Sequence, residues 1–441
     1  MTRRVAFALA AAAATLSDAW PCTIRAQQPS ATRDTLRLDA LQSDAVRRDP
    51  RARQLELLAS QSGLRLRSLE AERLPTLSAT AQGQYQSDVV SIPQLPNGPT
   101  PPAQPHDTYD AHLAARQRLY DPSFGPRRDL ERAQLAESQA RVRSALFTLR
   151  QSVNDAYFTA LLLQAQSAEL EAGVTDLEAQ LRVARDRVRL GSALPSDAAT
   201  LEAELLRRRQ SLAELAANQE AALVVLGDLT GRAVAPTDVL ALPDHGAEVA
   251  RARAALGELR ARPEYEQFAR TREILARREA SVAAQERPRV AAFGRAGYGR
   301  PGLNPLARDF DSYWLAGVQV EWTPWSWGTT RRDREVLAIQ RQIVATEEAA
   351  FTESIRRAVA RDLAAIDRLE RTLETDDAII ALRERILREM RLRFTEGVIT
   401  SAEYVDRQTD VLTARLARVT HRVELAQARA RFLTSVGIEA R

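Results

Sequence analysis

Two carboxylates, Glu403 and Asp406, stand three residues apart in Thr400-Ser401-Ala402-Glu403-Tyr404-Val405-Asp406, shortly after Gly397. On a helix that spacing places both on one face. Contributed by every copy of a symmetric assembly, the pair would form stacked acidic rings, a common way to make a pore cation-selective. A second reading is local. Thr-x-x-Glu is a capping box, in which Thr400 caps the helix and Glu403 reaches back to it. That reading leaves Asp406 unexplained, because it lies beyond capping reach. Other chemistry is scarce. His106, His112, His245 and His421 are scattered, with no HExxH, no GxSxG and no cysteine cluster. All 62 basic residues are arginine, which excludes a P-loop lysine, a Schiff-base lysine and a lysine general base. The expectation is a protein that is not an enzyme and carries no cofactor or metal site.

The elements that must position these carboxylates occur twice. Asp49-Pro50 returns as Arg262-Pro263, Pro75 as Pro288 and Tyr85 as Tyr298, each at an offset of 213. Gly191, at the end of one long helical pattern, returns as Gly397 at an offset of 206. Each half reads helix, alternating strand, Pro/Gly loop, alternating strand, very long helix, glycine turn, helix. Internal repetition of this kind implies a symmetric architecture with each copy a wall segment. Glycine suits the left-handed end of a helix because it has no Cβ to clash. After Gly191, Pro195, Ser196 and Asp197 supply a proline and candidate caps for the next helix.

Residues 76–86 alternate, with Leu77, Ala79, Ala81, Gly83 and Tyr85 on one face and Thr76, Ser78, Thr80, Gln82, Gln84 and Gln86 on the other. A period of two over about 9–11 residues is the signature and span of a tilted transmembrane strand. The second copy, 289–298, keeps the register with Val290, Ala292, Gly294, Ala296 and Tyr298 outward and Arg295 toward the lumen. Residues 109–120 place Ala111, Leu113, Ala115 and Leu119 outward, with His112, Arg116 and Arg118 inward. Residues 312–323 carry Trp314, Ala316, Val318, Val320 and Trp322 on one face. A tryptophan at each end of an apolar stripe is what an aromatic girdle at the lipid boundary requires, and Tyr85 and Tyr298 extend it. The competing reading is a hairpin packed on a soluble core. Four strands cannot close a barrel, so oligomerisation must supply the rest. The loop at 87–108 holds six prolines, Pro93, Pro96, Pro99, Pro101, Pro102 and Pro105, and Pro301 and Pro305 lie in the second loop.

From about 126 to 190 and over 329–396 no proline interrupts the pattern. Leu170, Val174, Leu177, Leu181, Ala184 and Val188 follow a heptad seam, as do Ile355, Val359, Ile366, Leu369 and Leu373. Leu412, Leu416, Val419, Val423, Ala426, Ala430 and Leu433 form a third. With 27% charged and 5% aromatic residues, the composition is that of long helices rather than of a compact enzyme. A coiled-coil rod would explain the heptads equally well, but not the strands. The resulting division is a signal peptide at 1–26, a first repeat at 27–227, an equatorial linker at 228–262 and a second repeat at 263–441. Arg3 and Arg4 precede the apolar run Val5 to Leu16, too short to span a bilayer, and cleavage is expected after Ala26, or else after Ala19. Cleavage would remove the sole cysteine, Cys22, for which lipidation is the alternative fate, although Ala19-Trp20-Pro21 is a poor lipobox. It would also lower the formal charge from +4 to about +2, too balanced to suggest a nucleic-acid partner.

The ordered set Leu36-Arg37-Leu38-Asp39-Ala40-Leu41 before Asp49-Pro50, Arg73-Leu74-Pro75-Thr76-Leu77, Arg118-Leu119-Tyr120-Asp121 and the two glycine turns resembles the TolC family of outer-membrane efflux proteins. The resemblance covers essentially the whole mature chain. It implies a mainly α fold with transmembrane β: a homotrimer whose four strands per chain close a 12-stranded barrel, continued by a long α-helical barrel through the periplasm. It implies a passive exit duct of a tripartite efflux pump, with a periplasmic adaptor, an inner-membrane transporter and outer-membrane lipid as partners. A type I protein-secretion duct of the same fold, and a periplasmic coiled-coil adaptor or scaffold, are the alternatives. In the family, acidic residues six and nine positions after the second glycine build the constriction; here these are Glu403 and Asp406. The acid six positions after the first glycine is matched by Asp197, while Thr200 occupies the ninth. Ile399 stands where some members carry a basic gate residue. The tips around Gly191 and Gly397 are the expected adaptor contact.

Overall fold

A computed structural model describes residues 35–89, 105–256, 261–304 and 308–438. The expected signal peptide, Cys22, Pro93, Pro96, Pro99, Pro101, Pro102 and Pro305 lie outside the described residues.

Two very long helices set the scale: α3, Phe124–Arg189, of 66 residues, and α7, Thr329–Thr395, of 67. At 1.5 Å per residue each is about 100 Å long. Neither contains a proline beyond its first turn, so nothing removes an internal hydrogen bond. Shorter helices lie end to end beside them. In the first repeat these are α1 (Leu38–Arg48), α2 (Gln54–Ala71) and α4 (Pro195–Thr230); in the second, α6 (Pro263–Ala284) and α8 (Ser401–Val436). Helix α2 packs on one part of α3 and α4 on another, and α6 and α8 flank α7 in the same way. Helices α6 and α8 also contact α3, which joins the two repeats laterally.

The expected seams are the buried lines of these helices. Leu170, Val174, Leu177, Leu181 and Ala184 of α3 are buried, as are Val359, Ile366 and Leu369 of α7 and Val423, Ala426, Ala430 and Leu433 of α8. Midway along the bundle, strand β1 (Thr35–Leu36) pairs in parallel with β4 (Val239–Leu240), followed by α5 (Gly246–Ala254). Tyr157 of α3, fully buried, donates its hydroxyl to the carbonyls of Leu36 and Ala241 and so ties this belt to the bundle. Burial raises its hydroxyl pKa well above that of free tyrosine, so it remains a donor.

At one end stands a four-stranded antiparallel sheet of order β2-β3-β5-β6, formed by Thr76–Tyr85, Asp107–Tyr120, Arg289–Arg300 and Asp311–Glu321. The inner pairing, β3 with β5, joins the two repeats, while β2 and β6 are open edges. Register aligns the apolar positions across all four strands: Ala79 faces Leu113, Leu113 faces Ala296, and Ala296 faces Trp314. One detail departs from simple alternation. A bulge between Arg118 and Tyr120 sets Tyr120, rather than Leu119, opposite Val290. An extra residue in one strand of a pair shifts the faces beyond it, which period-two reading cannot foresee.

Candidate functional site

The far tips are built by the two glycine turns. Gly191 and Gly397 have φ of 72° and 74°, the left-handed region where a Cβ would clash with the backbone. Each closes a long helix: Gly191 N–H donates to the Val188 carbonyl, and Gly397 N–H to that of Phe394. The chain then turns directly into α4 and α8.

Both readings of Thr400-x-x-Glu403 concern atoms that are now placed. Glu403 N–H donates to Thr400 Oγ1 at 3.3 Å, and Glu403 Oε2 accepts from Thr400 N–H at 3.3 Å, a complete capping box. Asp406 is exposed and, among the described residues, makes no hydrogen bond or ion pair. The two acids therefore differ: one is engaged in holding the helix start, and the other is free toward solvent on the same face.

Asp197 has a role the sequence did not disclose. Its Oδ2 accepts from Leu194 N–H, and its Oδ1 accepts from Ser401 N–H, both at 3.3 Å. One carboxylate thus sits at the N-termini of two helices, where unsatisfied N–H groups favour negative charge. Arg187 adds a second tie, donating to the Phe394 carbonyl at 3.3 Å. Behind these ties, Tyr404 is buried and stacks on Phe394 at 5.0 Å, amid Leu177, Leu181, Leu201 and Leu205. Burial pushes the Tyr404 hydroxyl pKa up to about 12. Ile399 packs against this same cluster, and Thr200 donates back to Ser196 O within its own helix.

Further along the hairpins lies Arg208, only 2% exposed. Its Nε donates to Glu204 at 2.7 Å, Nη1 to the Gly173 carbonyl and Nη2 to Thr409 Oγ1, each of these at 3.3 Å. It thereby clasps α3, α4 and α8. Burial works to raise the Glu204 pKa, but the hydrogen bonds from Arg207 and Arg208 outweigh it and hold the carboxyl below its usual range. Sequence reasoning missed this clamp. The only signal was Gly173 inside a long helix, where a Cβ would meet Arg208 Nη1 at 3.4 Å.

At the sheet end the apolar face is open. Trp314 is 77% exposed, Tyr85 75% and Tyr298 56%, and no described element covers Leu77, Leu113 or Val318 on the same face. Trp322 lies one residue beyond β6 and donates its indole N–H to the Glu286 carbonyl at 3.0 Å. The eight residue steps from Trp314 to Trp322 span about 26 Å along the strand, close to the height of a lipid-facing band. Among the described residues no helix is long and apolar enough to cross a membrane.

Residues 41–232 match the model of the outer membrane efflux protein family. Over those residues the chain is similar to the outer membrane efflux proteins. No curated protein matches it. Solved structures share the efflux-protein fold over 91% of this chain. The outer membrane protein VceC of Vibrio cholerae does so at 15% identity, over 96% of its own length, with a TM-score of 0.66. The open-state outer membrane channel MtrE of Neisseria gonorrhoeae matches at 20% identity over 89% of its length, with a TM-score of 0.64. The outer membrane channel CmeC of Campylobacter jejuni matches at 13% identity over 85% of its length, with a TM-score of 0.65. At these identities the likeness is one of fold.

Proposed function

We propose that this protein is the outer-membrane exit duct of a tripartite pump, reaching into the periplasm and passively conducting what an inner-membrane transporter and a periplasmic adaptor deliver. The observation that carries the reading is the exposed apolar face of the four-stranded sheet, bounded by Trp314 and Trp322, standing on helices of 66 and 67 residues. A periplasmic adaptor or scaffold has no use for such a face.

What one chain leaves unpaired supports a trimer. Strands β2 and β6 each offer a free edge, and three copies joined β6 to β2 would close twelve strands into a barrel. The helices carry matching vacancies. Val336, Ile339 and Ile343 on α7, and further down Ile379, Leu382 and Ile386, are exposed at spacings of three and four, as expected of seams awaiting a neighbour. In such a trimer the tips converge, and Asp406 of each copy would form an acidic ring, with Glu403 one turn closer to the end. Mutual repulsion in that throat is offset by ties such as Asp197 to Ser401 and by bound cations. The exposed tips at Gly191 and Gly397 are the surface assigned to the adaptor.

The test is single-channel current from the purified mature protein in a planar lipid bilayer, alongside membrane fractionation. A small, cation-preferring conductance in protein recovered with outer membranes is the expected result. Protein that stays soluble without detergent and never inserts would sink the duct.

A further inference from the structure

On the polar face of the sheet two arginines share a cavity with no carboxylate in its lining. Across β3 and β5, Ala114 pairs with Arg295 and Arg116 with Phe293, which makes Arg116 and Arg295 diagonal neighbours on one face. Diagonal positions are about 7–8 Å apart, within reach of two long side chains converging on one small ligand. The cavity has a volume of about 530 Å³, and Thr76, Ser78 and His112 also border it.

Both guanidinium groups keep unused hydrogen-bonding capacity. Arg116 makes one long bond, 3.5 Å, to Gln319 Oε1. Arg295 lies 5.4 Å from the Tyr313 ring centroid, and its Nε is buried without an acceptor. Among the described residues neither arginine has an ion-pair partner. Asp110, on the same face, is occupied by His112 Nδ1 at 2.6 Å and by the Tyr313 hydroxyl. Arg116 also borders the adjoining cavity toward the helices, where Glu72 takes Arg118 at 2.7 Å and Arg127 at 2.9 Å. Asp121 of that cavity accepts from Ser123 and Arg127, and Glu321 faces Arg289 across the β5–β6 pair. Glu72, Asp110 and Asp121 thus have closer partners of their own, whereas among the described residues neither Arg116 nor Arg295 has a carboxylate within ion-pair distance.

We propose that Arg116 and Arg295 form an oxyanion clamp on the lumen wall of the barrel, taking solutes that carry a phosphate, carboxylate or sulfonate group. The planar guanidinium fork matches such groups in geometry and charge. Membrane lipid is not the ligand, because the clamp lies on the face opposite Leu113, Ala296 and Trp314. This inference rests on the duct reading. It gives the duct opposite electrical character at its two ends, acidic at the tip and basic in the barrel.

Inorganic phosphate is the probe. Added to the assembled protein in a planar bilayer at constant ionic strength, it should reduce the wild-type current. The R116Q/R295Q double variant should need about tenfold more phosphate for the same block. The R116K/R295K variant, which keeps charge without the fork, should fall between, and it replaces the glutamine variant if that one does not assemble. Absence of block in the wild type, or equal block in all three proteins, overturns the clamp. Calorimetric titration of phosphate into detergent-solubilised protein reads the same site without conduction. Heat that is present in the wild type and lost in the variants supports the clamp even where no current flows, and that combination overturns the duct reading alone.

Discussion

Asp197 in the first repeat accepts the backbone N–H of Ser401 in the second, 204 residues away, while also accepting from Leu194 at the start of its own helix. The two helical hairpins are therefore latched at their tips by one carboxylate that caps both. Asp197→Ala should free the tip of α8 from that of α4 and raise the resting conductance, with a stability loss of about 1 kcal/mol. Bilayer recording together with thermal denaturation tests this. A resting current equal to wild type would remove the latch role.

Glu403 and Asp406 should separate cleanly by substitution. Glu403→Ala breaks the capping box and lowers stability by about 1 kcal/mol. Asp406→Ala touches no bond of the chain, so the melting temperature should hold while cation selectivity falls. The double variant should show both losses and more leak. Unchanged reversal potentials in the double variant would exclude a gate role for the pair.

Arg208 is a buried charge held by three partners on α3, α4 and α8. Arg208→Ala leaves Thr409 and the Gly173 carbonyl without their donor and should destabilise the protein by about 3 kcal/mol. Arg208→Met, which keeps the volume, should lose less. Denaturant titration of the two variants gives the comparison; equal losses would mean that pairing, not packing, matters there.

His245 is buried, and neither ring nitrogen has a hydrogen-bond partner. Burial lowers its pKa below the ordinary 6.5, and Arg429 adds to this, against the opposing pull of Glu248, Asp244 and Asp39. The neutral ring is the form the fold accommodates. Its contribution to stability is complete above the unfolded-state pKa of about 6.5 and is lost as pH falls through the lowered folded value. Unfolding free energy should therefore drop on acidification below about pH 6.5, and His245→Phe should flatten that part of the profile. An unaltered pH slope in the variant would assign the effect elsewhere.

Gly297 and Gly294 stand on the same strand, yet substitution should separate them. A Cβ on Gly297 would lie 2.7 Å from His112 Cβ and 2.8 Å from both the Ala111 carbonyl and Tyr313 Cζ. On Gly294 it would meet only the Leu315 carbonyl, at 3.8 Å. Gly297→Ala should abolish the assembled barrel, and Gly294→Ala should retain it, as read by gel migration with and without heating. Equal assembly of both variants would show that the strands can part at Gly297.

The elements were legible because their signals are long and periodic. Alternation over 76–86 and 312–323 and heptad seams before each glycine turn and after the second leave few other structures. The bulge at Leu119 was not legible, since one inserted residue leaves no mark on composition. Nor was Arg208: in a chain whose every basic residue is arginine, a buried clamp looks like any solvated charge. The double cap by Asp197 escaped for a related reason. Its local signal, an acid at the start of a helix, is complete without the distant Ser401 that it also serves. Glu403 was readable in both senses, and the capping geometry now accounts for one of them.

The open edges of β2 and β6 carry a kinetic consequence. The helical hairpins can form within one chain at a rate indifferent to how many other chains are present. The sheet leaves its outermost rows of N–H and C=O groups unpaired among the described residues, and in the proposed trimer they would find partners only on another copy. In that assembly, completion of the barrel would be a collision-limited step that slows steeply on dilution. A chain that has finished its helices must wait, with both edges exposed, for encounters that its own sequence cannot hasten.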